Sequence, residues 1–566
     1  MIGLISATSA GQRGCEHLAT AWPDDVRIYD GPVREAVGRA FAECEQLVCF
    51  LATGAVVRLL APLLRGKDTD PGVVTVDETC QHAIALLGGH GGGANDLAQR
   101  VADVLGCRPV ITTATDATGV PGLDTLGWPV EGAVAAVSRA ILDGAPVRLD
   151  TPHGVHPLPA LPPNVTATTD SDISLIVTDR VTSADDRSVV LRPPSLVVGV
   201  GGSRGVPADE VLALIGSVLA GAGLSPRSVA ALATVDAKAD EAGIVEAAER
   251  LGVPLVTYDA ARLAAIDVPN PSDAPLVAVG TPSVAEAAAL AAAPGGELLV
   301  PKRKSAPQAG PAMATAAVAR RRPRGRLAVV GLGPGARDLL TPRAREELRR
   351  ASVIVGLDQY ADQIRDLLRP GTRILESGLG AEEERARTAV AQARAGHAVA
   401  LIGSGDAGVY AMASPALAEA ADDIDVVGVP GVTAALAAAA ILGAPLGHDH
   451  VSISLSDLHT PWDVIERRVK AAAESDLIVT FYNPRSRGRD WQLPKAMSLL
   501  AEHRHPSTPV GVVHAASRPD ERSEVTTIAD LDVTTVDMVT VVTVGNTATR
   551  NVAGRMVTPR GYRWQT

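Results

Sequence analysis

The feature that most constrains this chain is a unit that recurs along most of it: a short apolar run, a glycine-broken turn, and a segment that starts like a helix. Residues 400–413 carry the sharpest example, Ala-Leu-Ile-Gly-Ser-Gly-Asp-Ala-Gly-Val-Tyr-Ala-Met-Ala. With no Cβ at Gly403, Gly405 and Gly408, backbone amides and carbonyls of this turn can approach a ligand closely, so the stretch reads as a cofactor cradle. Repeated strand–turn–helix units predict several α/β domains with largely parallel sheets and ligands at the carboxyl ends of strands.

A chain of 566 residues exceeds one core, and its length suggests roughly three or four domains. Aromatic residues make up only 2%, so Val, Leu, Ile and Ala must build the cores. The net charge of −12 argues against nucleic acid or an anionic membrane as partner and leaves a small substrate. Cys15, Cys44, Cys49, Cys80 and Cys107 all fall in the first fifth, with neither Cys-x-x-Cys nor zinc spacing. They read as reduced thiols in a cytoplasmic protein, with no metal site. The apolar run at 432–442 is too short to span a bilayer, and the N-terminus lacks the basic start of a signal peptide.

In the first third, strands are expected at 2–6, 26–29, 47–51, 73–76, 84–87 and 110–112. The fifth ends in Gly-Gly-His-Gly-Gly-Gly (88–93), with a helix starting near Ala94. This is either an anion site with His90 at its lip or a tight turn carrying an exposed histidine. Lys67, Asp68 and Asp70 read as a solvated turn. Residues 120–190 are Pro-rich and irregular, with His153 and His156 as loop residues. From 193 to 320 further units follow, beginning with a strand at 196–200, the loop Gly-Gly-Ser-Arg-Gly (201–205), and Pro207 in a helix first turn. Arg204 there suits a carboxylate, and Thr281, Ser283 and Glu286 read as capping residues. Residues 317–326 are basic and read as a linker.

The strand at 327–330 ends in Gly-Leu-Gly-Pro-Gly-Ala, which, with Asp358 downstream, fits a dinucleotide fingerprint and an NAD-dependent oxidoreductase. Against that, the next helix waits for Thr341-Pro342, so no helix terminus meets the glycines. Unusual residues then cluster in loops after strands, and the pattern changes near 443–450, which suggests two lobes, 327–443 and 450–566, around a cleft.

Thr-Gly-Ala-Val-Val-Arg (53–58), the segment 67–78 and Gly-Gly-His-Gly-Gly-Gly-Ala-Asn (88–95) together resemble the N-terminal domain of the cobalt-precorrin-5A hydrolase family of cobalamin biosynthesis. Residues 191–320 resemble its C-terminal domain, with Gly202 and Ser203 where that family often carries Cys, which excludes a thiol role. The resemblance implies domains at 1–120 and 191–320 around a variable middle at 121–190. It also implies opening of a δ-lactone on a cobalt-containing macrocycle with release of acetaldehyde. Water attack on an ester needs a base and an oxyanion partner, for which His90, Lys67, Lys238 and Glu241 are at hand, with His90 the candidate catalytic residue. An alternative is a non-catalytic precorrin carrier.

Gly-Leu-Gly-Pro-Gly (331–335), the 403–413 turn, Pro-Gly-Val-Thr-Ala (430–434), Ser-Leu-Ser-Asp-Leu (454–458), Tyr-Asn-Pro-Arg-Ser (482–486) and Val-Gly-Asn-Thr (544–547) resemble the tetrapyrrole methylase family. Within it they look most like precorrin-3B or cobalt-factor III C17-methyltransferase. The resemblance implies S-adenosylmethionine as cofactor, a precorrin or cobalt-precorrin substrate, methylation with ring contraction, and a homodimer through residues 327–566. Carried over by motif, the cofactor contacts are Pro334, Gly405, Asp406, Tyr410, Thr433, Ala434, Leu455, Tyr482, Asn483 and Gly545. Asp406 has a second reading as a loop-capping carboxylate, and Asn483 one as part of a strand-ending turn. Proton transfers in ring contraction point to Asp457, His459 and His514. Arg485, Arg487, Arg489 and Arg518 either bind substrate carboxylates or are solvated surface groups.

Overall fold

The computed structural model describes residues 1–561 except 67, 68, 308, 309, 379, 421 and 487, so Lys67, Asp68 and Arg487 lie outside the described residues. The chain forms two compact units: Met1–Val155 with Leu161–Pro323 and Arg369–Gly371, and His156–Ala160 with Arg324–Leu368 and Thr372–Thr566.

The first unit opens with a six-stranded sheet in the spatial order Val26–Ile28, Ile2–Ser6, Gln46–Phe50, Gly72–Val76, His82–Leu87, Arg108–Val110. The first four run parallel, and helix Ser9–Ala21 packs so closely that a Cβ on Gly14 would lie 2.3 Å from the Phe50 ring. The fifth reverses, with Val73 opposite Leu87. Five residues separate it from the fourth, too few for a parallel crossover. The reversal brings the 88–93 glycine loop out beside the start of Gly72–Val76, at the opposite edge from 53–58.

The middle stretch is not irregular. Val130–Gly132, Val147–Asp150, Val165–Thr166, Ser174–Val177 and Ser188–Leu191 form a sheet of their own. These strands are two to four residues long, too short for alternation to stand out between prolines. Arg192, buried beside them, bonds Glu131 at 2.6 Å.

A third sheet joins parallel strands Leu196–Gly202, Val229–Val235 and Leu255–Tyr258 to antiparallel Ala314–Arg320 and Glu297–Lys304. Residues 317–320 thus belong to a strand rather than to a linker. Ala317, Val318 and Ala319 are buried, and Arg320 grips buried Asp179 through two hydrogen bonds of 2.7 and 2.9 Å.

In the second unit, one sheet is wholly parallel, in the order Arg373–Ser377, Val353–Leu357, Ala398–Gly403, Arg326–Gly331, Asp425–Val429. A second follows His450–Ser454, Ile478–Tyr482, Thr540–Val544, Pro509–His514, Arg522–Thr527, with only the first pair parallel, and a small third one joins Gly443–Ala444, Arg555–Val557 and Arg550–Val552. Helix Pro342–Arg350 starts where Thr341 accepts the Ala344 N–H at 3.1 Å, well past the glycines, which removes the basis of the dinucleotide reading. Among the described residues no helix is long and apolar enough to cross a membrane.

Candidate functional site

Three adjacent strands of the parallel sheet, ending at Gly403, Gly331 and Val429, deliver their following loops to one edge. Gly333 and Gly405 exchange backbone hydrogen bonds of 3.0 and 2.8 Å. A Cβ on Gly431 would fall 2.2 Å from the Gly405 oxygen, and one on Gly331 2.6 Å from it. Only glycines let three backbones meet this closely.

Asp406 fastens the arrangement. Its Oδ1 accepts the Gly408 N–H at 2.8 Å and its Oδ2 the Gly431 N–H at 3.0 Å. Of its two sequence readings, the structure displays the loop-capping one.

The second lobe meets these loops through named bonds. The Tyr482 hydroxyl lies 2.5 Å from Thr433 Oγ1 and accepts the Ala435 N–H at 2.9 Å. The Tyr410 hydroxyl donates to the Ser452 carbonyl at 2.8 Å, and the Tyr410 and Tyr482 rings sit 5.2 Å apart. Arg518 Nε donates to the Pro334 carbonyl at 3.0 Å. Asn483 Nδ2 bonds Ser454 Oγ at 3.1 Å, and buried Leu455 donates its N–H to the Tyr482 carbonyl. Tyr410, Asn483, Ala515 and Ser517 all have positive φ, between 47° and 62°. Strained non-glycine backbone concentrated on loops that face one another is a mark of functional sites.

One expected contact is displaced. Thr540–Val544 runs antiparallel to Ile478–Tyr482, with Val544 opposite Val479, so Gly545 lies beside the start of that strand. Tyr482, Asn483 and Leu455 lie at its other end. On their edge the fourth strand instead contributes the turn after His514, whose positive-φ residues Ala515 and Ser517 the sequence reading missed. An Ala-Ala-Ser turn carries no glycine signal.

The arginines are engaged with backbone. Arg485 donates to the carbonyls of Val533 and Thr534, and Arg489 to those of Leu455 and Asn483. Of the proton-transfer candidates, His514 lies between carboxylates, 3.3 Å from Asp537 and 3.5 Å from Asp520. Asp457 accepts from Gln492 at 3.1 Å, and His459 is exposed.

In the first unit, a cavity of about 900 Å³ is lined by His90, Gly91, Gly92, Gly93, Arg65 and Asp70 among others, so the glycine loop and the 69–71 turn meet. Asp70 shapes its turn by accepting the N–H groups of Arg65 and Gly66. At the third sheet, Lys238 and Glu241 pair at 2.9 Å, and Glu241 also accepts the Gly205 N–H at 2.7 Å. The Lys238 hydrogen bond holds the Glu241 carboxyl below its usual range. Arg204 is exposed beside them. Thr281, Ser283 and Glu286 are buried but none caps helix Ala285–Ala291, whose N-cap position is Val284 with no side-chain cap; Glu286 instead accepts from the Asn270 and Lys302 backbones, a structural task.

Residues 326–532 match the model of the Tetrapyrrole (Corrin/Porphyrin) Methylases. Residues 35–116 and 196–319 match those described as Cobalamin synthesis G N-terminal and Cobalamin synthesis G C-terminus. Over 239 residues, 42% of this chain and 99% of the relative, the sequence is 46% identical to the "Probable cobalt-factor III C(17)-methyltransferase" of Salmonella typhimurium. The chain belongs to the tetrapyrrole methylase family. A second family relative, the precorrin-3B C(17)-methyltransferase of a Sinorhizobium species, is 42% identical across 42% of this chain and 97% of its own length. Other methylase relatives are longer. The cobalt-factor III methyltransferase of Priestia megaterium is 42% identical across 42% of this chain, but only 46% of its own length is covered. Among solved structures, that of the methyltransferase CobJ aligns over 42% of this chain and all of its own, with 38% identity and a TM-score of 0.40.

Proposed function

We propose that the second unit methylates a precorrin-type tetrapyrrole, precorrin-3B or cobalt-factor III, at C17 with ring contraction, using S-adenosylmethionine. The observation that carries this reading is the meeting of the three glycine loops with Tyr482, Asn483 and Leu455 on one edge. Family membership and the relatives' names support it. The residues fit the cofactor: close-packed glycine turns offer peptide groups rather than side chains, and Tyr410 and Tyr482 offer aromatic faces to a nucleoside. Pro334, Gly405, Tyr410, Thr433, Ala434, Leu455, Tyr482 and Asn483 would hold it, with Asp406 fixing the loops behind. The cofactor, when bound, supplies an electrophilic methyl group. Attack by an electron-rich ring carbon then needs alignment and exclusion of water, which loops tied across the two lobes provide. For ring contraction, Asp457, His459 and His514 are the groups able to move protons.

In the same reading the first unit is a hydrolase that opens the lactone of a cobalt-precorrin-5A-type macrocycle and releases acetaldehyde. Support comes from the two Cobalamin synthesis G matches, which together cover most of it. The location is the cytoplasm, supported by five cysteines that form no disulfide, and the assembly is a homodimer through the methylase unit. Incubation with S-adenosylmethionine and each tetrapyrrole, followed by mass analysis, tests the methyl transfer. A product one methyl heavier is expected, and unchanged substrate would defeat the proposal. Release of acetaldehyde from the lactone separates hydrolase from carrier.

A further inference from the structure

Among the described residues of the first unit, two of the clusters that include residues singled out in the sequence could promote attack of water on an ester. At the third sheet, Lys238 and Glu241 neutralise one another, and Glu241 is bonded on both oxygens. A carboxylate so satisfied is a poor proton acceptor. The other cluster stands at the cavity of about 900 Å³. There His90 Nε2 lies 2.8 Å from Thr115 Oγ1 and 3.4 Å from Asp116 Oδ2. Asp116 is pinned in turn: its Oδ2 accepts from Asn95 Nδ2 at 2.8 Å and from Thr113 Oγ1 at 2.5 Å. Asn95 is buried at the start of helix Ala94–Leu105, so a rigid element holds the carboxylate.

We propose that His90 is the base of lactone opening and that Asp116, with Thr115, is the positioning pair that selects its tautomer; the assignment rests on the hydrolase reading of this unit. An imidazole nitrogen facing a carboxylate and a hydroxyl carries the proton, so Nε2 is the N–H and Nδ1 is left as the acceptor. Nδ1 makes no hydrogen bond among the described residues, and His90 lines the cavity. The loop is set for the opposite charge as well. Gln46 Nε2 donates to the Gly92 and Gly93 carbonyls at 3.0 and 3.2 Å, holding their oxygens. The N–H groups of Gly91 and Gly92 donate to nothing among the described residues. They are the donors for an oxyanion formed beside His90. A Cβ on Gly72 would lie 2.1 Å from the Gly92 oxygen, so the neighbouring strand fixes the loop's height.

In the step, the oxygen of water adds to the lactone carbonyl carbon while Nδ1 takes one of its protons. The carbonyl oxygen gains the electron pair and meets the Gly91 and Gly92 amides. The carbonyl then re-forms, the ring C–O bond breaks, and the Nδ1 proton passes to the departing alkoxide. A hydroxy acid results, with no redox change. Asp116 stabilises the transient imidazolium.

The test uses the full chain and a δ-lactone macrocycle, with amide-exchange protection of peptides spanning 72–105 as the control for folding of the first unit. His90→Gln is expected to lower kcat for ring opening by about a thousandfold, within the range for a lost general base. Asp116→Asn should lower kcat by at least about a hundredfold, toward the ~10⁴ of a fully mis-set tautomer, with KM little changed, because the wrong tautomer removes the base without removing the ring. Nitrogen-15 NMR of the His90 ring should find Nε2–H in the parent chain and a mixture in Asp116→Asn. An Nδ1–H ring in the parent chain, or ring opening within threefold of normal in His90→Gln, overturns the assignment alone. A parent chain that opens no lactone overturns the hydrolase reading and the assignment together.

Discussion

The Tyr482 hydroxyl lies 2.5 Å from Thr433 Oγ1, and the same oxygen accepts the Ala435 N–H at 2.9 Å. Thr433 occupies the N-cap position of helix Ala434–Leu442 but makes no side-chain capping bond to its own helix. The cap is supplied by a tyrosine on the other lobe, so helix stability and lobe closure are one equilibrium. Tyr482→Phe should cost about 1 kcal/mol, the usual worth of a cap. It should also weaken S-adenosylmethionine binding, while Thr433→Val, which spares the Ala435 bond, should do less. Calorimetric titration and thermal melting of both variants measure this; equal effects would mean the cap is not the operative bond.

Asp406 joins the 404–412 loop to Gly431 through both oxygens. Asp406→Ala removes the acceptor of two N–H groups, one of them exposed to water, and should destabilise the second unit by about 1 kcal/mol. Asp406→Asn keeps one acceptor and should fall between. Cofactor affinity should track stability across the pair, and lactone opening should not change. Were Asp406→Asn fully stable yet unable to bind cofactor, the carboxylate would be touching the ligand directly.

How far the sequence carries can be read from particular residues. Gly405 was legible because a close backbone approach has one chemical solution, and strands such as Ala398–Gly403 because buried parallel strands are continuously apolar. The partners of Arg485 and Arg518 were not, since a guanidinium serves a backbone carbonyl as readily as a carboxylate. Gly545 was misplaced because strand direction is invisible in a motif: a glycine after a strand marks the site only if that strand points the same way. The 130–191 sheet was missed because strands of two to four residues leave no period.

The thiols should separate sharply by reactivity. Burial pushes Cys15 and Cys49 up to about 12, so neither holds thiolate near neutral pH. Cys80 and Cys107 are only half-buried. Alkylation at pH 8 followed by peptide mapping should label Cys80 and Cys107 first, and Cys15 and Cys49 only after denaturation. Early labelling of Cys49 would show that the first sheet opens in the native state.

Asp77 sets a pH limit on the same sheet. It begins the turn between Gly72–Val76 and His82–Leu87, and accepts the Thr79 hydroxyl at 2.7 Å and the N–H groups of Thr79, Gln81 and His82 at 3.0, 3.1 and 2.6 Å. Burial alone pushes its carboxyl up, but these bonds outweigh it and bring the value down to about 2. Because the folded value lies below the ordinary one of about 3.9, the stabilisation is complete above roughly pH 5. It drains away as pH falls toward 2, where the folded carboxylate takes its proton. Asp77→Asn cannot titrate. The difference in amide-exchange protection between the parent chain and this variant, over peptides spanning 72–87, should therefore be constant above about pH 5. It should narrow steadily between pH 4 and 2. A difference that stayed flat to pH 2 would mean that the carboxyl has the same pKa folded and unfolded, and that or a widening would refute the role of the carboxylate in the turn.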